Sequence, residues 1–181
     1  GGSRTIRSPK KDLKIIQYRI KKGLLEERTK ENSNKVSHGF SREKSIKTNA
    51  FVHTKKRCVI NIDLDNFFES FTYGRVKGYL NKNSDFGLSD NISGVIAQFL
   101  CYRDINSGVG FLPQGAPTSP VMANLICQIL DRRIIRIAKK YKLNYTRYAD
   151  DMTFSTNRDS FKDEYDRFFS ELKSLINRKK G

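Results

Sequence analysis

Two short runs rich in β-branched and aromatic residues, Leu143–Tyr148 and Met152–Ser155, flank Ala149-Asp150-Asp151. Strand, tight turn, strand is the pattern of a β-hairpin, here with acids at its tip. Adjacent carboxylates repel each other, and a divalent cation would relieve that repulsion. A third acid sits in a comparable place. Cys58–Leu64 (CVINIDL) is short, β-branched and apolar, and reads as a buried strand ending in Asp63, 87 residues before Asp150. An acid at the edge of an apolar strand is costly unless it is paired or bound to metal. If strand and hairpin are neighbours in one sheet, three carboxylates converge. Hard oxygen ligands of this kind suit Mg²⁺ together with substrate phosphates. By itself, an Asp-Asp pair in a turn is ordinary turn chemistry.

The helices surround this pattern. Ser119–Tyr141 carries Val121, Met122, Leu125, Ile126, Ile129, Leu130, Ile134 and Ile137 at helical spacing, with Ser119 as cap and Pro120 at the first helical position. Residues 10–28 place Leu13, Ile16, Ile20 and Leu24 on one face and basic residues on the other. Thr72–Asn81 and Ser89–Arg103 read as helices, the second burying Ile92, Val95, Ile96, Phe99 and Leu100. Ser41–Thr54 reads as a short helix followed by a turn. Phe161, Tyr165, Phe168, Leu172 and Leu175 define a last amphipathic helix.

The charge selects a partner. Net charge is +16, and residues 1–57 hold 17 basic against 5 acidic residues. Lys and Arg in such excess displace counterions from a phosphate backbone, which points to nucleic acid. Cys58, Cys101 and Cys127 lie far apart without CxxC spacing and read as reduced core residues of an intracellular protein, not as a zinc site. No apolar run is long enough to span a bilayer.

At this point the residues resemble a family. Tyr148-Ala149-Asp150-Asp151 is the YADD form of the reverse-transcriptase signature. Asn61–Phe68 (NIDLDNFF) resembles that family's first catalytic motif, and Leu112–Asn124 (LPQGAPTSPVMAN) resembles its nucleotide-pocket motif. Arg4-Thr5-Ile6, followed by a basic helix, is similar to the segment that meets the triphosphate. The four occur in the family's order. Asn49-Ala50-Phe51-Val52-His53 fits the NAxxH signature of the bacterial retron branch, and Ser37–Phe40 and Ser45-Ile46 are also retron-like.

The resemblance implies an α+β fold: the fingers and palm of a polymerase right hand. The palm would be an antiparallel sheet backed by helices, ferredoxin-like or RRM-like. Residues 1–57 would be a partial, basic fingers region and residues 58–181 the palm with interleaved fingers segments. The remaining palm and the thumb would be absent, leaving an isolated fragment weakly active or inactive. It implies an RNA-directed DNA polymerase working by two-metal nucleotidyl transfer, with Mg²⁺ or alternatively Mn²⁺. Asp63, Asp150 and Asp151 would be catalytic metal ligands, with the Leu64 carbonyl adding a ligand and Asp65 a structural or solvated acid.

Phe68 would stand under the ribose 2′ position and exclude a hydroxyl. Gln114 and Gly115 would line the incoming dNTP, and Arg4 would clamp its triphosphate. Lys10, Lys11 and Lys14 would meet template phosphates. Asn49, Ala50 and His53 would take part in recognising the cognate RNA, with a structural His53 hydrogen-bonded to nearby backbone as the competing reading. The implied partners are a structured RNA template and primer, the RNA–DNA hybrid, dNTPs and an effector protein in antiphage defence. The implied setting is the bacterial cytoplasm, away from membranes. Another bacterial reverse transcriptase and a non-catalytic RNA-binding module remain open alternatives.

Overall fold

The computed structural model describes residues 6–27 and 35–177. Among these residues the chain forms α1 (Lys11–Ile20), α2 (Ile46–Val52), β1 (Cys58–Asp63), α3 (Tyr73–Lys82) and α4 (Asp90–Leu100). There follow β2 (Tyr102–Arg103), β3 (Gly110–Phe111), α5 (Ser119–Lys140), β4 (Asn144–Tyr148), β5 (Asp151–Thr156) and α6 (Phe161–Asn177). The class is α+β with small antiparallel sheets. The described residues of 1–33 and 66–126 form one compact unit, and those of 34–65 and 127–181 form another. The charge step near residue 57 does not mark this division, because 35–57 clusters with β1 and the hairpin.

In the first unit, α1 continues into a π-helical turn, Lys21–Glu26. Widening from 3.6 residues per turn shifts the phase of the apolar stripe. The buried positions are Gln17 and Leu25, while Ile16, expected on the inner face, is exposed. The amide of Gln17 donates to the Phe99 carbonyl of α4 at 2.8 Å. The expected face of α4 is also displaced. Ser93, Gly94, Ala97 and Leu100 are buried, whereas Ile92 and Val95 are exposed. Small residues let α3 come close: a Cβ on Gly94 would sit 3.3 Å from the Tyr73 hydroxyl. The β2–β3 hairpin has no clear signature in the sequence pattern. Its loop is organised by Asp104, whose carboxylate accepts from the Asn106 and Ser107 amides and the Ser107 hydroxyl. Helix α5 begins at Ser119 itself, and the hydroxyls of Thr118 and Ser119 are both buried without a hydrogen-bond partner among the described residues. Ser119 is thus not the side-chain cap its position suggested.

In the second unit, the sheet order is β1-β5-β4, all antiparallel, with β5 central. Register divides the sheet into two faces, because directly opposed residues share a face. Ile60 opposes Phe154, which opposes Tyr145; Ile62 opposes Met152, which opposes Arg147. This face packs on the second half of α5 and on α6 through Ile134, Ile137, Phe161, Phe168 and Leu172. Phe154 stacks on Tyr145 with centroids 4.9 Å apart and meets Phe168 edge-on at 5.1 Å. The other face is mostly polar: Asn61 of β1, Thr153 and Ser155 of β5, Asn144 and Thr146 of β4, with the exposed Val59 beside them.

Strand β1 is therefore half-buried, with Cys58, Ile60 and Ile62 partly covered and Val59, Asn61 and Asp63 exposed. It is not the fully buried strand its apolar sequence suggests, because among the described residues it pairs on one side only. Helix α2 packs on the polar face near β4 and β5. It opens with a capping box in which Ser45 and Thr48 satisfy each other's backbone amides.

Candidate active site

The strands deliver the acids by register. Asp63, the last residue of β1, lies directly opposite Asp151, the first residue of β5. One residue further, the Leu64 amide donates to the Asp150 carbonyl at 3.2 Å, so β1 follows the hairpin to its tip. Tyr148 and Asp151 close the hairpin, leaving Ala149-Asp150 as a two-residue turn. Asp63 and Asp151 are exposed on the polar face and Asp150 is half-buried. Like charges placed directly across a strand pair are destabilising. A hard divalent cation removes that repulsion, and three carboxylates are a suitable donor set for one. Among the described residues, no group of three or more such side chains is already gathered tightly enough to hold an ion. What brings the three acids to one end of the sheet is the backbone register of β1 with the hairpin.

The turn itself is strained and braced. Ala149 has φ +56°, a left-handed conformation that disfavours residues with a Cβ. Two contacts hold it. Arg147 Nη1 donates to the Ala149 carbonyl at 2.8 Å. Gly39 abuts the backbone of Ala149 so closely that a Cβ there would overlap its amide nitrogen. The segment carrying Gly39 is tied to β4 by His38 N–H to Arg147 C=O at 2.7 Å and Arg147 N–H to Val36 C=O at 2.8 Å.

Arg147 is fully buried. Its guanidinium donates to both oxygens of Asp131 on α5, each at 2.9 Å, and Tyr145 donates its hydroxyl to the same carboxylate at 2.8 Å. Burial opposes the charge on Arg147, but the bonds to Asp131, together with the neighbouring charges of Cys127, Asp131 and Tyr145, outweigh it and raise the guanidinium pKa above its ordinary value. Burial, with Asp131 beside it, pushes the Tyr145 phenol well above its ordinary range. Sequence reading missed Asp131 and Arg147. The available signal was an arginine on the apolar phase of a strand.

Asn49 and His53 are buried under α2. The His53 ring bridges the Ser155 hydroxyl through Nδ1 and the Thr146 hydroxyl through Nε2, both at 2.7 Å. It therefore fastens α2 to the polar face, through side-chain hydroxyls and not through backbone. Burial, then His38 and Lys56, hold its pKa below the ordinary histidine value. The other histidine, His38, bonds Thr48 of α2 at 2.8 Å. Asn49 and His53 are each 8% exposed, while Ala50 lies on the exposed side of the helix.

The remaining residues belong to the first unit. Phe67 is buried against Phe71 at 5.0 Å, while Phe68, its edge-on neighbour at 5.2 Å, is only partly covered. Gln114 is half-buried, and its carbonyl accepts from the Arg7 amide at 2.7 Å. Gly115 has φ +113°, and a Cβ there would meet Ile6 at 2.8 Å and the Arg7 carbonyl at 3.0 Å. Arg4 lies outside the described residues. Its neighbour Arg7, missed in the sequence, stacks on Tyr102 at 4.7 Å and pairs with Glu69 at 3.8 Å. Lys10, Lys11 and Lys14 are exposed at the start of α1.

The family model described as reverse transcriptase (RNA-dependent DNA polymerase) matches residues 1–180. The chain belongs to the reverse transcriptase family. Relatives of this reverse transcriptase domain include the retron Ec86 reverse transcriptase of Escherichia coli, 41% identical over 84% of the chain and 44% of the relative. The retron Mx162 and Mx65 reverse transcriptases of Myxococcus xanthus are 38% and 35% identical, each over 86% of the chain, covering 33% and 38% of the relatives. The chain thus spans between a third and a half of the length of these relatives. Reverse transcriptases generally use divalent metal ions, in keeping with the carboxylates at this hairpin. Among the described residues no helix is long and apolar enough to cross a membrane.

Proposed function

We propose that this chain is the fingers and palm portion of a retron-type RNA-directed DNA polymerase, with the β1-β5-β4 sheet as palm and the first unit supplying fingers. The observation that carries the reading is the opposition of Asp63 and Asp151 across β1 and β5, with Asp150 in the turn between β4 and β5. Asp63, Asp150 and Asp151 hold the divalent ions, Mg²⁺ by preference, and the Leu64 carbonyl lies close enough in sequence to add an oxygen. Ions held by these carboxylates would supply charge stabilisation for phosphoryl transfer.

The protein's own residues do the rest. Arg147 and Gly39 fix the turn so that Asp150 is presented at a constant position, which is preorganisation of the kind catalysis needs. Phe68, partly exposed while Phe67 packs, fills the space beneath the ribose 2′ position and selects dNTPs. Gln114 and Gly115 line the nucleotide, the glycine allowing close backbone approach. Arg4 contacts the triphosphate as a planar donor. Lys10, Lys11 and Lys14 neutralise template phosphates. The template is a structured retron RNA, the product an RNA–DNA hybrid, and the setting cytoplasmic antiphage defence with an effector protein.

The test is primer extension on an RNA template with dNTPs or rNTPs and Mg²⁺, using this sequence within a polymerase that includes a thumb. Asp150→Asn is expected to abolish extension, and Phe68→Ala to admit rNTPs while dNTP incorporation persists. Extension unaffected by Asp150→Asn would refute the reading.

A further inference from the structure

We infer that Arg7 is a positioning residue for sugar selection: it clamps the turn carrying Phe68 to the segment carrying Gln114 and Gly115, so that discrimination between dNTPs and rNTPs depends on it. The inference rests on the role proposed above for Phe68. All of these residues belong to the first unit.

Arg7 is held from three sides. Its amide donates to the Gln114 carbonyl at 2.7 Å. Its guanidinium lies 4.7 Å from the centre of the Tyr102 ring and 5.5 Å from that of Phe111. Those two residues oppose each other across the β2–β3 pair, with ring centroids 5.8 Å apart. Its Nη1 stands 3.8 Å from Glu69 Oε1.

Glu69 follows Phe68 directly and shares its turn. There the Phe71 amide donates to the Phe68 carbonyl at 3.2 Å, and the Ser70 hydroxyl donates to the Phe67 carbonyl at 2.7 Å. Strand β3 grips the same turn: the Leu112 amide donates to the Phe71 carbonyl at 3.0 Å, and Phe111 bridges Thr72. Arg7 thus reaches the turn of Phe68 by two routes, directly through Glu69 and through Phe111 of β3.

The two routes are unequal. The ion pair is long and the Glu69 side chain is 52% exposed, so by itself it holds little. Stacking of a planar guanidinium on two rings is the stronger contact. Lysine keeps the charge and the backbone bond but has no plane to lay on the rings, so Arg7→Lys is not conservative here. Exclusion of a 2′-hydroxyl is steric, and a ring displaced by about 1 Å no longer excludes it. Deoxyribose fits in either case.

The chain contains no tryptophan, so Phe68→Trp puts a single reporter on the turn. Adding Arg7→Lys is expected to shift its emission and raise its quenching by acrylamide, independently of any polymerase activity. Unchanged emission and quenching would overturn the inference. The second measurement is single-nucleotide incorporation on an RNA template, by this sequence within a polymerase that includes a thumb, with kcat and KM read separately for a dNTP and its rNTP. Arg7→Lys is expected to lower the dNTP-over-rNTP ratio of kcat/KM about 10-fold, the low end of what one pocket contact is worth. Glu69→Gln is expected to lower it by no more than about 5-fold. In a Phe68→Ala background, Arg7→Lys is expected to change the ratio no further, because it acts through that ring. An unchanged ratio in Arg7→Lys where Phe68→Ala relaxes it would sink the inference alone. So would an equal loss of dNTP and rNTP incorporation, which marks general damage to the unit. A ratio that Phe68→Ala itself leaves unchanged would sink the sugar-gate reading, and this inference with it.

Discussion

Arg147 and Asp131 form a bidentate ion pair at 2.9 Å with both side chains sealed from solvent, and the same guanidinium holds the carbonyl of Ala149. A buried pair is costly to form and costlier to break, because removing one partner strands the other charge in the core. Asp131→Asn or Arg147→Met is expected to lower stability by about 3–5 kcal/mol. A double replacement by apolar residues of similar volume is expected to recover much of that loss. Urea denaturation of the singles and the double checks this. The double mutant should nevertheless lose polymerase activity, since the Ala149 carbonyl loses its donor.

The turn offers a second test. Ala149 sits at φ +56°, where a Cβ costs about 1–2 kcal/mol. Ala149→Gly is expected to be neutral or to raise stability by up to about 1 kcal/mol, the gain being partly offset by the entropy of glycine in the unfolded chain. At Ala138, within α5, the same change should cost about 1 kcal/mol or more. Gly39→Ala should act oppositely to Ala149→Gly, because its new methyl meets the Ala149 backbone, which cannot move without displacing the acids. Thermal midpoints of the three variants distinguish these outcomes.

These two relationships also show what a sequence conceals. Strand periodicity locates the hairpin and the acid-ended strand, and the 3.6-residue period locates α5 and α6, because each is a local pattern. Register and burial are less accessible. The apolar β1 lies half-exposed because it is paired on one side only among the described residues. Helix α4 presents Ser93, Gly94 and Ala97 inward in place of Ile92 and Val95, since close approach to α3 outweighs hydrophobic bulk. The π-helical turn after α1 rotates the apolar stripe. Asp131 and Arg147 lie on a helix and a strand, 16 residues apart in sequence, and no short-range pattern links them.

Histidine protonation gives a third prediction. Burial holds the pKa of His53 below 6.5, with His38 and Lys56 adding to the effect, and burial and Lys44 lower His38 in the same way. Below about pH 6.5 the unfolded chain binds protons that the folded chain resists. Stability from these sites is complete above that pH and is lost as pH falls toward the folded-state values. The urea midpoint should therefore decline between about pH 7 and 5. His53→Gln is expected to flatten that decline, at a cost of about 1–3 kcal/mol near neutral pH from the lost bonds to Thr146 and Ser155. A midpoint that rises on acidification would contradict the assignment.

The opposed acids predict a trade between stability and binding. Asp63→Asn removes one member of a like-charge pair and is expected to stabilise the metal-free protein slightly, by about 0.2–1 kcal/mol. Millimolar Mg²⁺ or Mn²⁺ should raise the thermal midpoint of the original sequence and leave that of Asp63→Asn unchanged. Differential scanning fluorimetry with and without chelator reads both effects.

The most direct test is the Mg²⁺ dependence of single-nucleotide incorporation opposite an RNA template, comparing the original sequence with Asp63→Asn and, as a control, with Asp65→Asn. The expected result is a loss on the order of 10²–10³-fold or more for Asp63→Asn, with Asp65→Asn near the original rate. Incorporation by Asp63→Asn within a few-fold of the original, at the same Mg²⁺ requirement, would contradict the proposal that these strands bring their carboxylates to a shared ion.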